Sequence, residues 1–123
     1  MKLTGVAAIV TGGGSGLGRA TAEALAAKGA QVAIFDLNPA AAEEAAKALG
    51  GAAIVGDVAD EASAGAAIAK AAAAHGPARV LVNCAGIGIA KRVVGRDGPH
   101  PLADFDRVVR VNLIGTFNMI RLA

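Results

Sequence analysis

The chain has 123 residues, 54% hydrophobic and 18% charged, which fits one small folded domain and excludes a disordered chain. Its net charge of +2 comes from Lys and Arg scattered among Asp and Glu, and Trp and Tyr are absent, so there is neither a basic stripe nor a stacking platform for nucleic acid. A single cysteine, Cys84, excludes an internal disulfide framework and points to a reducing, cytoplasmic setting, and the start MKLTGVAAIVTGGG lacks the pattern of a signal peptide. No apolar run reaches bilayer length, so no membrane partner is expected.

The predicted elements alternate along the chain. GVAAIV (5–10) reads as a buried strand, followed by a glycine-rich loop and a helix from about Gly16 to Lys28, stopped by Gly29. QVAIFD (31–36) is a second strand. Asn38 can cap a helix with Pro39 in its first turn, running to Leu49 and ending at Gly50-Gly51. AAIVGDV (52–58) is a third strand, and Asp60 caps an alanine-rich helix to about Ala74. RVLVNCAG (79–86) is a fourth strand, 87–101 a Gly/Pro-rich loop, and Leu102 to Ala123 a last helix. The strands are continuous apolar runs, as expected when helices cover both faces of a sheet. Strand–helix alternation of this kind predicts an α/β fold, a doubly wound parallel sheet built from right-handed crossovers.

The loop VTGGGSGLGRA (10–20) joins a strand to a helix N-terminus, where free N–H groups and the helix dipole attract phosphate. Its glycines let a pyrophosphate reach the backbone. The common G-x-G-x-x-G spacing is absent in every register. What stands is T-G-x-x-x-G-x-G, with Thr11, Gly12, Gly16 and Gly18. A competing spacing, G-x-G-x-G at 12, 14 and 16, is that of S-adenosylmethionine methyltransferase loops. Asp36 closes the second strand, where a carboxylate accepts hydrogen bonds from ribose hydroxyls and repels a 2′-phosphate. Leu37 follows it and Ser15 precedes Gly16, so nothing basic is placed for that phosphate except Arg19, one step inside the helix. This favours NAD over NADP.

Three further motifs follow in order: Asp57-Val58 after the third strand, Asn83-Cys84-Ala85-Gly86 at the end of the fourth, and Asn112 within VNLIGTFN of the last helix. Together with Thr11 to Gly18 and Asp36, they resemble the N-terminal half of a classical short-chain dehydrogenase/reductase. The loop IGIAKRVVGRDGPHPL further resembles the type-2 3-hydroxyacyl-CoA dehydrogenase branch. The resemblance implies a Rossmann-type fold of strand order 3-2-1-4, with ligands at the switch point between strands 1 and 4. It also implies an NAD-dependent enzyme that transfers hydride between nicotinamide and a secondary alcohol or ketone.

By the same resemblance, Gly12, Ser15, Gly16, Leu17 and Gly18 would cradle the pyrophosphate and Asp36 would hold the adenosine ribose. Asp57 and Val58 would contact adenine. Asn83 would stabilise the sheet, with Cys84, Ala85 and Gly86 alongside in the cofactor crevice. Asn112 would anchor a water in the proton relay. The last helix would pack against a partner subunit, making a homo-oligomer, dimer or tetramer. Helical spacing places Asn112 on an apolar stripe of Phe105, Val108, Val109, Leu113, Thr116, Phe117 and Ile120, where a buried amide needs a water or backbone partner. A second stripe holds Val111, Ile114, Met119 and Leu122. His75 and His100 are too far apart in sequence to suggest a metal site.

One departure stands out. The family uses a Tyr, a Lys four residues on and a Ser; this sequence has no Tyr, and its only serines are Ser15 and Ser63. The fourth strand would also be a bare apolar edge. Two expectations follow. Either these residues are the cofactor half of a longer single-domain enzyme, inactive alone, or they form a catalytically inactive nucleotide-binding module.

Overall fold

The computed structural model describes residues 1–123. Four parallel strands, β1 (Ala7–Thr11), β2 (Gln31–Asp36), β3 (Ala52–Val55) and β4 (Val80–Asn83), form one sheet in the order β3-β2-β1-β4. Helices α1 (Gly16–Ala26), α2 (Pro39–Leu49) and α3 (Glu61–His75) are the crossovers. The expected order and doubly wound class are therefore both present. β3 and β4 are shorter than their apolar runs because Gly56 and Cys84 lie beyond the last paired residues.

Alternate residues of each central strand face opposite helical layers. Ile9, Ala33 and Phe35 join Ile54, Val58, the α3 alanines 64, 67 and 71, and Met119 in one cluster. Ala8, Val10, Val32 and Ile34 meet Ala22 of α1 and the α2 alanines 42, 45 and 46 in the other. Alanine at these helix positions lets the helices lie close to the sheet. β1 and most of β2 are buried, whereas β4 is only half-buried along its length, since one edge has no neighbouring strand.

The caps sit where the sequence places them. Asn38 Oδ1 accepts the Ala41 N–H at 3.2 Å, and Asp60 Oδ1 accepts the Ser63 N–H at 2.7 Å. Within the loop at 87–101 a small hairpin pairs β5 (Val94–Gly95) with β6 (Gly98–Pro99).

The last helix departs from expectation. α4 (Leu102–Val109) runs into a π-helical turn (Arg110–Gly115) and then α5 (Thr116–Leu122). The stripe of Phe105, Leu113, Phe117 and Ile120, with members before, within and after that turn, faces solvent throughout, and the second stripe docks on the sheet through Met119, with Val111 and Leu122 partly buried beside it. Asn112 is exposed, which corrects the expectation of a buried amide. No helix is long and apolar enough to cross a membrane.

The Lys91 ammonium bonds Asp104 Oδ2 and ties the 87–101 loop to α4. That bond holds the Asp104 carboxyl below its ordinary range, helped by the charges of Lys91, His100 and Arg107. The pair's stabilising effect is complete above the ordinary aspartate pKa and is lost as pH falls through the lowered one. In Lys91→Met the Asp104 titration midpoint, followed by carbon NMR, is expected to rise towards the ordinary value; an unchanged midpoint would refute the assignment.

Candidate functional site

All four strands point their carboxyl ends the same way, and a crevice of about 720 Å³ opens there, at the switch point between β1 and β4. Gly12, Ser15, Gly16, Leu17, Gly18, Asp36, Asp57, Val58, Cys84, Ala85 and Gly86 line it. Asn83 and Asn112 do not.

The glycine loop serves two purposes. Gly12 has φ +62°, and a Cβ there would stand 2.9 Å from the Ala85 backbone; one at Gly18 would stand 2.1 Å from the Gly12 carbonyl. These two glycines let the chain pack on itself. Gly16 differs: its φ is +50° and nothing lies within 4 Å of its missing Cβ. This is the point where the backbone is open to a ligand.

Behind it starts α1. Ser15 is extended and its side chain caps nothing. Arg19 is the first residue to close an N–H onto the loop, to the Ser15 carbonyl at 3.0 Å, leaving the Gly16, Leu17 and Gly18 N–H groups without partners in the chain. Three free donors at the positive end of a helix dipole make an anion site on the crevice wall.

Asp36 ties the loop to β2. Its Oδ2 accepts the Gly14 N–H and its Oδ1 the Asn38 N–H, both at 2.9 Å. Each oxygen keeps a second lone pair for a hydroxyl donor. Arg19, the nearest cation in sequence, is engaged elsewhere: its guanidinium bonds Glu44 at 2.8 Å and Glu23 at 3.3 Å, and these bonds raise its already high pKa.

Asp57 is set by an Asx turn, with Oδ1 accepting the Ala59 N–H at 2.9 Å, and by Ser63 Oγ, which accepts the Asp57 N–H at 2.9 Å. Asn112 clasps the Ile87 backbone twice. Its Oδ1 accepts the Ile87 N–H at 2.9 Å and its Nδ2 donates to the Ile87 carbonyl at 2.8 Å, fixing the chain just past Gly86. Thr116 Oγ1 donates to the Asn112 carbonyl at 2.7 Å, across the π turn. Asn83 ends β4 opposite Thr11, with its buried Oδ1 unpartnered.

Several residues of the site were not assigned from sequence. Arg107 and Arg110, one helical turn apart, line the crevice from the last helix. Thr11 was visible only as part of a motif. Its side chain is fully buried, and Oγ1 accepts the N–H groups of both Cys84 and Ala85 at 3.1 Å. A hydroxyl ending a buried apolar strand is the signal that could have identified it.

The family model for short chain dehydrogenases matches residues 6–123. The chain belongs to the short-chain dehydrogenase family. It is 45% identical over 125 residues to the 3-hydroxyacyl-CoA dehydrogenase type-2 of Bos taurus, an alignment covering 98% of this chain and 48% of that protein. Among solved structures it is similar to a 3-ketoacyl-(acyl-carrier-protein) reductase from Brucella melitensis complexed with NADH, at TM-score 0.88 and 38% identity, covering 97% of this chain and 49% of that one. It is also similar to one described as ribose-5-phosphate isomerase from Brucella melitensis 16M, at TM-score 0.89 and 39% identity, covering 98% and 46%. The chain thus spans about half the length of the relatives it matches.

Thr11→Val keeps the shape of the side chain, strips the Ala85 N–H of its acceptor and leaves the Cys84 N–H only the Thr11 carbonyl, at 3.2 Å. It is expected to cost about 1–3 kcal/mol in urea unfolding, with Thr11→Ser close to the parent. Equal stability of the Val variant would contradict the clamp.

Proposed function

We propose that these residues are the cofactor-binding part of an NAD-dependent dehydrogenase that oxidises a secondary alcohol or reduces the matching ketone. One observation carries the reading: three unpartnered N–H groups at the start of α1 face the same crevice as the Asp36 carboxylate. A dinucleotide needs both, a donor cradle for its pyrophosphate and an acceptor for its ribose hydroxyls. The open side of Gly16 gives the phosphates room to approach.

The chain's own part is binding and orientation. The α1 N–H groups hold the pyrophosphate, and Asp36 takes the adenosine ribose. Asp57 keeps Oδ2 for the adenine amino group, since Oδ1 is used by Ala59. Ala85, Gly86 and Ile87 form the wall towards the nicotinamide, steadied by the Asn112 clasp. Asn112 also stands as the residue that anchors a water in the proton relay. NAD, when bound, supplies the hydride acceptor. The Tyr that the family uses to take the alcohol proton has no counterpart among these 123 residues, so this reading gives them no proton-transfer step.

NAD is preferred to NADP in this reading because Asp36 repels a 2′-phosphate and Arg19 is committed to Glu44 and Glu23. The 45% identity to a protein named 3-hydroxyacyl-CoA dehydrogenase type-2 supports a 3-hydroxyacyl-CoA as the substrate class. The exposed Phe105, Leu113, Phe117 and Ile120 support the last helix as a homo-oligomer contact.

Fluorescence titration of the full-length protein tests the cofactor reading. NADH is expected to bind at least tenfold more tightly than NADPH, and Asp36→Ala to weaken NADH and shrink the gap, as loss of a charged hydrogen-bond acceptor worth roughly 1.5–3 kcal/mol requires. Tighter binding of NADPH would sink the preference. Tight NADH binding with no turnover of acetoacetyl-CoA or simpler ketones would favour an inactive nucleotide-binding module.

A further inference from the structure

The turn after β3 is held from outside the crevice by a chain of hydrogen bonds. Asn118 of α5 is 5% exposed, and its Nδ2 donates to the Val58 carbonyl at 2.8 Å. Its Oδ1 accepts from Arg121 Nε at 3.0 Å, and Arg121 Nη2 donates to Glu61 Oε1 at 2.7 Å. The guanidinium therefore decides which way the amide points: with Oδ1 on Arg121, the NH2 end meets the carbonyl. Gly115 lets the helix come this close, since a Cβ there would stand 2.6 Å from Val58 Cγ2.

The bond to Val58 has a consequence on the crevice side. The Val58 carbonyl and the Ala59 N–H belong to one rigid peptide plane. Asn118 holds the carbonyl end; the N–H end donates to Asp57 Oδ1 at 2.9 Å. Fixing that plane fixes the carboxylate on its other side. Asp57 and Val58 line the crevice, and Asn118 does not.

We propose that Asn118 is a positioning residue for adenine recognition: oriented by Arg121, it holds the peptide between Val58 and Ala59 so that Asp57 presents its free oxygen to the adenine 6-amino group. The inference rests on the dinucleotide reading of the crevice. Asn118→Asp keeps size and the acceptor for Arg121 but sets a carboxylate oxygen against the Val58 carbonyl, which tips the plane and turns Asp57 aside.

The test compares equilibrium binding of NADH and of its hypoxanthine analogue, which has an oxo group in place of the 6-amino group, to the full-length protein. The parent is expected to prefer NADH. In Asn118→Asp, NADH binding weakens by roughly tenfold and the analogue changes little, so the preference collapses. A role confined to holding the fold would weaken both ligands together and leave their ratio unchanged, and that result overturns the proposal. So does a parent protein that binds both equally. Should Asn118→Asp fail to fold, Arg121→Met at the partly exposed outer position decides: a smaller loss in the same ratio supports the relay, and an unchanged ratio overturns it. A parent protein that binds no NADH at all refutes the crevice reading itself, and this inference falls with it.

Discussion

The Thr11 hydroxyl is the point on which the site depends. β1 and β4 are neighbours in a parallel sheet, and after their last paired residues the two chains must separate to leave a crevice. Thr11 Oγ1 holds the Cys84 and Ala85 N–H groups as β4 ends, so the parting starts one residue later, at Gly12. Gly12 then lets the loop pass against the Ala85 backbone, and Gly18 lets α1 rest on the loop. With a bulkier or apolar residue at any of these three places, the α1 N-terminus would not sit where its free N–H groups face the crevice.

The same economy governs the charges. Asp36 bonds the loop it faces and the cap region it precedes, so one carboxylate braces the site and keeps lone pairs for a ligand. Asp57 is braced likewise, by α3 through Ser63 and by α5 through the Val58 peptide. Arg19, the cation nearest the loop in sequence, is engaged by glutamates, and the cations that line the crevice, Arg107 and Arg110, come from the last helix. At the glycine loop itself an anion is met by backbone N–H groups.

Much of this was legible in the sequence because it rests on short-range rules. The four strands are uninterrupted apolar runs, their helices start at Asn38 and Asp60 with clear caps, and alternation of strand and helix implies a parallel sheet. The residues of the glycine loop, Asp36, and the Asp57-Val58 pair were placed by motif, and the structure brings them to one crevice. What failed was the last helix. The apolar spacing yielded two stripes, and the one with Phe117 and Asn112 is the exposed one, while Met119, Val111 and Leu122 of the other meet the core; spacing alone does not say which stripe the sheet covers. The glycines were read as room for a phosphate; at Gly12 and Gly18 that room is filled by the chain's own backbone, a long-range contact that only the fold reveals. The contacts of Thr11 and Ser63 were out of reach for the same reason, since each acts on residues brought close by the sheet or the turn.

The central claim is that a dinucleotide lies along the carboxyl ends of the strands. Amide hydrogen exchange of the full-length protein with and without NADH tests it most directly. The expected result is slowed exchange in residues 12–19, 36–38, 57–59 and 84–87, with α2 and the outer face of α3 unchanged. Protection confined to the 91–109 region, or none in the glycine loop, would contradict it.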